Sequence, residues 1–78
     1  MKYIVYGAPG CSFCTKAKQL LEMHRQSFDY KEVGSDLSKE QLEEVLGRKV
    51  TTVPQIVKMS DGFGEYIGGF TELQNSLN

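Results

Sequence analysis

Cysteine is scarce in this 78-residue chain, which has only Cys11 and Cys14. Small secreted domains usually carry four or more cysteines, because a core of this size needs covalent staples, so a disulfide framework is not the organising principle. A Cys11–Cys14 bond would close a loop too short to remove much denatured-state entropy, which makes a purely structural role weak. A structural zinc site needs four ligands, and there is no second cysteine pair. The single histidine, His24, would sit roughly 15 Å from Cys14 along a helix. A surplus of one charge is also missing. Nine Lys and Arg face ten Asp and Glu, a formal net charge of −1, and no basic field for nucleic acid appears.

Long hydrophobic runs are absent as well. No stretch approaches membrane-spanning length, and the run Tyr3-Ile4-Val5-Tyr6 before Gly7 is too short for the core of a signal peptide. The expected location is therefore cytoplasmic, a reducing compartment in which a CxxC is more often catalytic or metal-bound than structural. No repeat, low-complexity segment or linker divides the chain, so residues 1–78 read as a single domain near the lower size limit for a self-sufficient core. Its 40% apolar and 24% charged residues are ordinary for a globular protein.

What is present has a clear order. Tyr3 to Tyr6 reads as a short apolar strand, broken by Gly7-Ala8-Pro9-Gly10. Ala17, Leu20, Leu21 and His24 then recur at helical spacing, predicting a helix from Ser12 to His24. Ser27 to Val33 is a second strand with Phe28 and Tyr30 on one face, parallel to the first because a helix joins them. Ser38 and Gln41 form a capping box with Leu37 and Leu42 as its hydrophobic staple. Leu42, Val45 and Leu46 make the apolar stripe of this second helix, and Gly47 stops it. Asp36, Glu40, Glu43 and Glu44 read as its solvated face. Gln55 to Met59 and Tyr66 to Gly68, around a turn at Ser60-Asp61-Gly62, form an antiparallel pair. Thr71 with Gln74 repeats the capping-box spacing ahead of a short last helix carrying Leu73 and Leu77.

The CxxC thus falls between the first strand and the first helix, in an α/β chain of order β-α-β-α-β-β-α with a four-stranded mixed sheet, the thioredoxin-like plan. Here the sequence resembles the glutaredoxin family. The resemblance rests on Cys11-Ser12-Phe13-Cys14, where the family usually has Cys-Pro-Tyr-Cys; on Ala17-Lys18; on Thr52-Val53-Pro54-Gln55-Ile56; and on Ile67-Gly68-Gly69-Phe70-Thr71. These motifs run in the family's order across nearly the whole chain.

A helix N-terminus favours negative charge, so Cys11 is placed to react as thiolate, while Cys14, one turn further in, is less exposed. Cys11 is the expected nucleophile and Cys14 the resolving thiol. Lys16 and Lys18 lie on the wet helix face. The resemblance implies a glutathione-dependent thiol–disulfide oxidoreductase acting on protein disulfides and glutathionylated thiols, with ribonucleotide reductase among the family's partners. It implies a cis Pro54 beside the cysteines and a Val53 backbone open to strand-like pairing with glutathione. By the same resemblance, Phe13, Thr52, Val53, Pro54, Gly69, Phe70, Thr71 and Glu72 are the expected glutathione contacts. Gly69, Phe70 and Thr71 would take its γ-glutamyl carboxylate, and Glu72 would lie near its amino group. Each has a plainer reading too: Pro54 as a strand start, Phe13 as a core residue, Gly68-Gly69 and Thr71 as a turn and cap.

Two positions depart from the family pattern. Ala8 stands where many members have a basic residue for glutathione's glycine carboxylate, with Arg48 or Lys49 as substitutes. Ser12 replaces the proline, as in members that bridge a 2Fe-2S cluster between two subunits through the first cysteine and bound glutathione. The alternative to a monomeric enzyme is therefore a cluster-bridged dimer in which Cys11 is the ligand. No membrane or nucleic-acid partner is expected.

Overall fold

The computed structural model describes residues 2–78. Its elements are β1 (Lys2–Gly7), α1 (Ser12–Met23), β2 (Phe28–Glu32), α2 (Lys39–Leu46), β3 (Gln55–Ser60), β4 (Phe63–Gly68) and α3 (Phe70–Leu77). The sheet order is β2-β1-β3-β4, with β1 and β2 parallel and the other two pairings antiparallel. This is the thioredoxin-like, four-stranded mixed sheet that the element order implies.

The strand period of two makes β1 the centre of a three-layer molecule. Tyr3 and Val5 pack with Ala17 and Leu21 of α1, Ile56 of β3 and Leu73 of α3. Ile4 and Tyr6 point to the opposite layer, with Leu42 of α2, Val50 and Val57. β1 is therefore apolar at consecutive positions because both of its faces are covered. Phe28 and Tyr30 share a face, both packing on the first of these clusters.

Most boundaries fall within a residue of those predicted, and the exceptions have local causes. β2 stops one residue short at each end, although Ser27 O still accepts from Tyr3 N and Val33 N donates to Gly7 O. α1 ends at Met23, with His24 as its exposed C-cap rather than part of the apolar stripe. In α2 the capping box of Ser38 and Gln41 is present, and Leu37 packs on the cluster that holds Leu42. Val45, however, is 64% exposed and leaves the stripe. Two of the acidic residues brace loops instead of facing only solvent: Glu43 accepts from Val50 N at 2.8 Å and Asp36 from Glu32 N at 2.7 Å.

The β3–β4 hairpin turns on Asp61 (φ 52°) and Gly62 (φ 85°). Two consecutive left-handed residues make the tight turn whose twist matches the strands, and they favour Asp-Gly. β4 is therefore longer than predicted. It starts at Phe63, whose 78% exposure on an edge strand hides the alternation that marks a buried strand. α3 begins at Phe70, so Thr71 lies inside the helix and is not its cap. The cap is Gly69, whose N–H donates to Glu72 Oε1 at 2.8 Å.

Candidate active site

β1 delivers the chain to the loop Ala8-Pro9-Gly10, and α1 starts immediately after it with Cys11 as N-cap (φ −92°, ψ 108°). The Cys11 sulfur occupies the position that a serine or aspartate oxygen fills in an ordinary cap. It accepts the Cys14 backbone N–H, with nitrogen and sulfur 3.2 Å apart. The two cysteines are joined as a disulfide. They are unequal: Cys11 is half-buried and lines a surface groove, whereas Cys14 is 1% exposed.

The Thr52–Pro54 loop closes over the pair. The Val53–Pro54 peptide is cis, and the Val53 carbonyl oxygen lies 3.7 Å from Cys11 Sγ. Gln55, buried at the start of β3, fixes this loop. Its Nε2 donates to Thr52 O at 2.8 Å, while its Oε1 accepts from the Tyr66 hydroxyl. Arg48 stacks on the Tyr66 ring, its guanidinium carbon 3.9 Å from the centroid.

Phe13, Thr52, Val53, Pro54, Gly69, Phe70, Thr71 and Glu72 line one groove of about 290 Å³. Three separate segments thus bring all eight expected glutathione contacts together beside the disulfide. The Phe13 and Phe70 rings, 5.8 Å apart, flank it, and Lys16 Nζ lies 4.9 Å above the Phe13 ring.

A second groove, of about 330 Å³, is lined by Cys11 itself together with Ala8, Pro9, Gly10, Ser12, Thr15, Lys18, Tyr30 and Glu32. Lys18 is not simply on the wet face, since its ammonium sits 4.2 Å over the Tyr30 ring. Burial raises the Tyr30 phenol pKa above 10.0, with the Glu32 and Asp36 carboxylates adding to the effect. Arg48 and Lys49 line neither groove. A smaller cavity next to Thr52 and Val53 is lined instead by Lys39. Lys18 lies in α1 with the cysteines, whereas Tyr30 of β2 and Lys39 of α2 come from elements distant in sequence from the motifs they face, and nothing along the chain marks them.

Among the described residues, no group of three or more His, Cys, Asp or Glu side chains is arranged to hold a metal ion. The cluster-bridged reading of Ser12 gains no support from the fold. None of the described helices is long and apolar enough to cross a membrane.

The glutaredoxin family model matches residues 3–62. The chain belongs to the glutaredoxin family. Among relatives, it is 35% identical to glutaredoxin 1 of Escherichia coli over 78 residues, covering 92% of this chain and 87% of that one. Among solved structures, reduced Escherichia coli glutaredoxin superposes with a TM-score of 0.77 at 30% identity, covering 99% of this chain and 93% of that one. A buckwheat glutaredoxin–glutathione complex shares the fold, with a TM-score of 0.69 at 22% identity over 95% of this chain and 66% of that one. As a glutaredoxin with an intact CxxC, the chain is a thiol–disulfide oxidoreductase.

Proposed function

We propose that this chain works as one glutathione-dependent domain over residues 1–78, reducing protein disulfides and glutathionylated thiols with Cys11 as nucleophile and Cys14 as resolving thiol. The observation that carries this reading is the groove of Phe13, Thr52–Pro54 and Gly69–Glu72, whose Val53 carbonyl oxygen lies 3.7 Å from the half-buried Cys11 sulfur. One protein of the same fold, from buckwheat, is a complex with glutathione.

The geometry supports the division of labour. The Cys14 N–H that meets Cys11 Sγ in the disulfide stabilises a thiolate at the same place once the bond is reduced, as does the N-terminal end of α1. That thiolate attacks a substrate disulfide or glutathionylated cysteine, forming a mixed disulfide and expelling the substrate thiolate or glutathione. In the dithiol route Cys14 attacks the Cys11 sulfur of this intermediate, releases the second sulfur of the substrate and closes the Cys11–Cys14 bond. Two glutathione molecules then reopen it, one forming the mixed disulfide and the other leaving with it as oxidised glutathione. In the monothiol route Cys11 keeps the glutathione taken from the substrate until a second glutathione removes it.

In the groove, the Val53 backbone pairs with the extended tripeptide in the manner of a short added strand. The amides at the start of α3 receive its γ-glutamyl carboxylate, and Glu72, held over Gly69 N, meets its amino group. Glutathione-coupled reduction of a glutathionylated protein tests this reading. Cys14→Ser retains that activity but loses reduction of protein disulfides, and Cys11→Ser loses both; full activity in Cys11→Ser overturns the assignment.

A further inference from the structure

Gly7, the last residue of β1, keeps open a space in which two groups meet. A Cβ there would overlap Tyr30 Oη and stand 2.9 Å from Cys14 Sγ. The phenol hydroxyl and the buried sulfur therefore both border the same methyl-sized volume. Tyr30 is brought there by the parallel register in which it lies opposite Val5. Its ring is held from above by the Lys18 ammonium.

This arrangement matters when the disulfide opens. An incoming thiolate attacks Cys11 Sγ and forms a new S–S bond to it. The Cys11–Cys14 bond breaks, and its electron pair leaves on Cys14 Sγ. The new thiolate forms at a residue only 1% exposed, where an anion without a donor is costly. The Cys14 N–H cannot serve, because it is directed at Cys11. The Tyr30 hydroxyl is a polar group that borders the space at Gly7 together with that sulfur. It holds its proton at neutral pH, since burial, Glu32 and Asp36 all favour the protonated phenol.

We propose that the Tyr30 hydroxyl donates a hydrogen bond to the Cys14 sulfur as it leaves, and to the same thiolate when it attacks a mixed disulfide in the reverse step. The inference deepens the proposed cycle and rests on Cys14 as its resolving thiol.

Tyr30→Phe, in the full chain, removes the hydroxyl and keeps the ring under Lys18. The rate at which 2-mercaptoethanol opens the Cys11–Cys14 disulfide, followed by acid quench and alkylation, falls about tenfold, the order of a hydrogen bond to a charged group. The reduction potential becomes more negative, because the reduced form loses a stabilising contact. In the Cys14→Ser background the same substitution leaves removal of glutathione from a glutathionylated protein unchanged. Disulfide opening at the wild-type rate in Tyr30→Phe, or an equal slowing in the Cys14→Ser background, overturns the proposal. Failure of the glutathione reading is separately visible, because opening by 2-mercaptoethanol does not require the glutathione groove.

Discussion

The Cys11 sulfur belongs to the more accessible half of the disulfide and is the N-cap of α1, accepting the Cys14 backbone N–H at 3.2 Å. One atom therefore serves both stability and chemistry, and two substitutions separate these roles. Cys11→Ser keeps an N-cap acceptor, whereas Cys11→Ala removes it at a cost of about 1 kcal/mol. Both variants are inactive. Urea unfolding, with Cys14→Ser as the disulfide-free reference, places Cys11→Ala below Cys11→Ser; equal midpoints contradict the capping role.

Gly7→Ala tests the crowding of the site from its far side. The added methyl must displace Tyr30 or Cys14, and overpacking of this kind costs about 1–3 kcal/mol. Thermal unfolding reads the loss. A variant as stable as wild type, with unchanged disulfide reduction, contradicts the close approach of Gly7 to both groups.

The chain Tyr66–Gln55–Thr52 links β4 to the loop over the disulfide. Tyr66→Phe leaves the buried Gln55 Oε1 without the donor it has here, which costs about 1–3 kcal/mol. The Thr52–Pro54 loop loosens with it. The expected kinetic result is a rise in KM for glutathione larger than the fall in kcat, measured in the coupled assay.

Alkaline pH weakens the fold. Burial raises the Tyr6 phenol pKa above its ordinary value of 10.0, and Tyr30 shifts in the same direction. The folded chain then binds these protons more tightly than the unfolded chain. This contribution to stability is complete below the unfolded tyrosine value and is lost as pH rises through the folded ones. Urea midpoints of the disulfide form decline from about pH 9 to about pH 11, across the tyrosine range, and Tyr6→Phe flattens the decline. A midpoint that increases over this interval contradicts the assignment.

Each of the three stretches that meet at the site is contiguous in the chain, so the strand–helix junction marks Cys11 to Cys14 and the family resemblance marks Thr52 to Pro54 and Gly69 to Glu72. The parallel β1–β2 and antiparallel β3–β4 pairings follow from the helix and the tight turn that join them, whereas the antiparallel β1–β3 pairing, which sets the strand order, has no such local signal. The errors arose where geometry replaced side-chain pattern. The spacing of Thr71 and Gln74 points to Thr71 as the cap of α3, because Gly69 has no side chain to signal one, and the bond comes instead from Glu72 reaching back. Val45 satisfies the helical period, yet it is exposed, and of this helix only Leu42 is fully buried. Lys18 and Tyr30 lie twelve positions apart, and only the pairing of β1 with β2 brings them to the same side of Cys11.

In the proposed cycle the two sulfurs are unequal: Cys11 is the reactive thiol at the helix N-terminus, and Cys14 is the enclosed one. Brief exposure of the fully reduced protein to limiting iodoacetamide at neutral pH, followed by peptide mass mapping, measures this directly. The expected result is label on Cys11 with Cys14 largely unmodified. Preferential label on Cys14, or equal label on both, contradicts it.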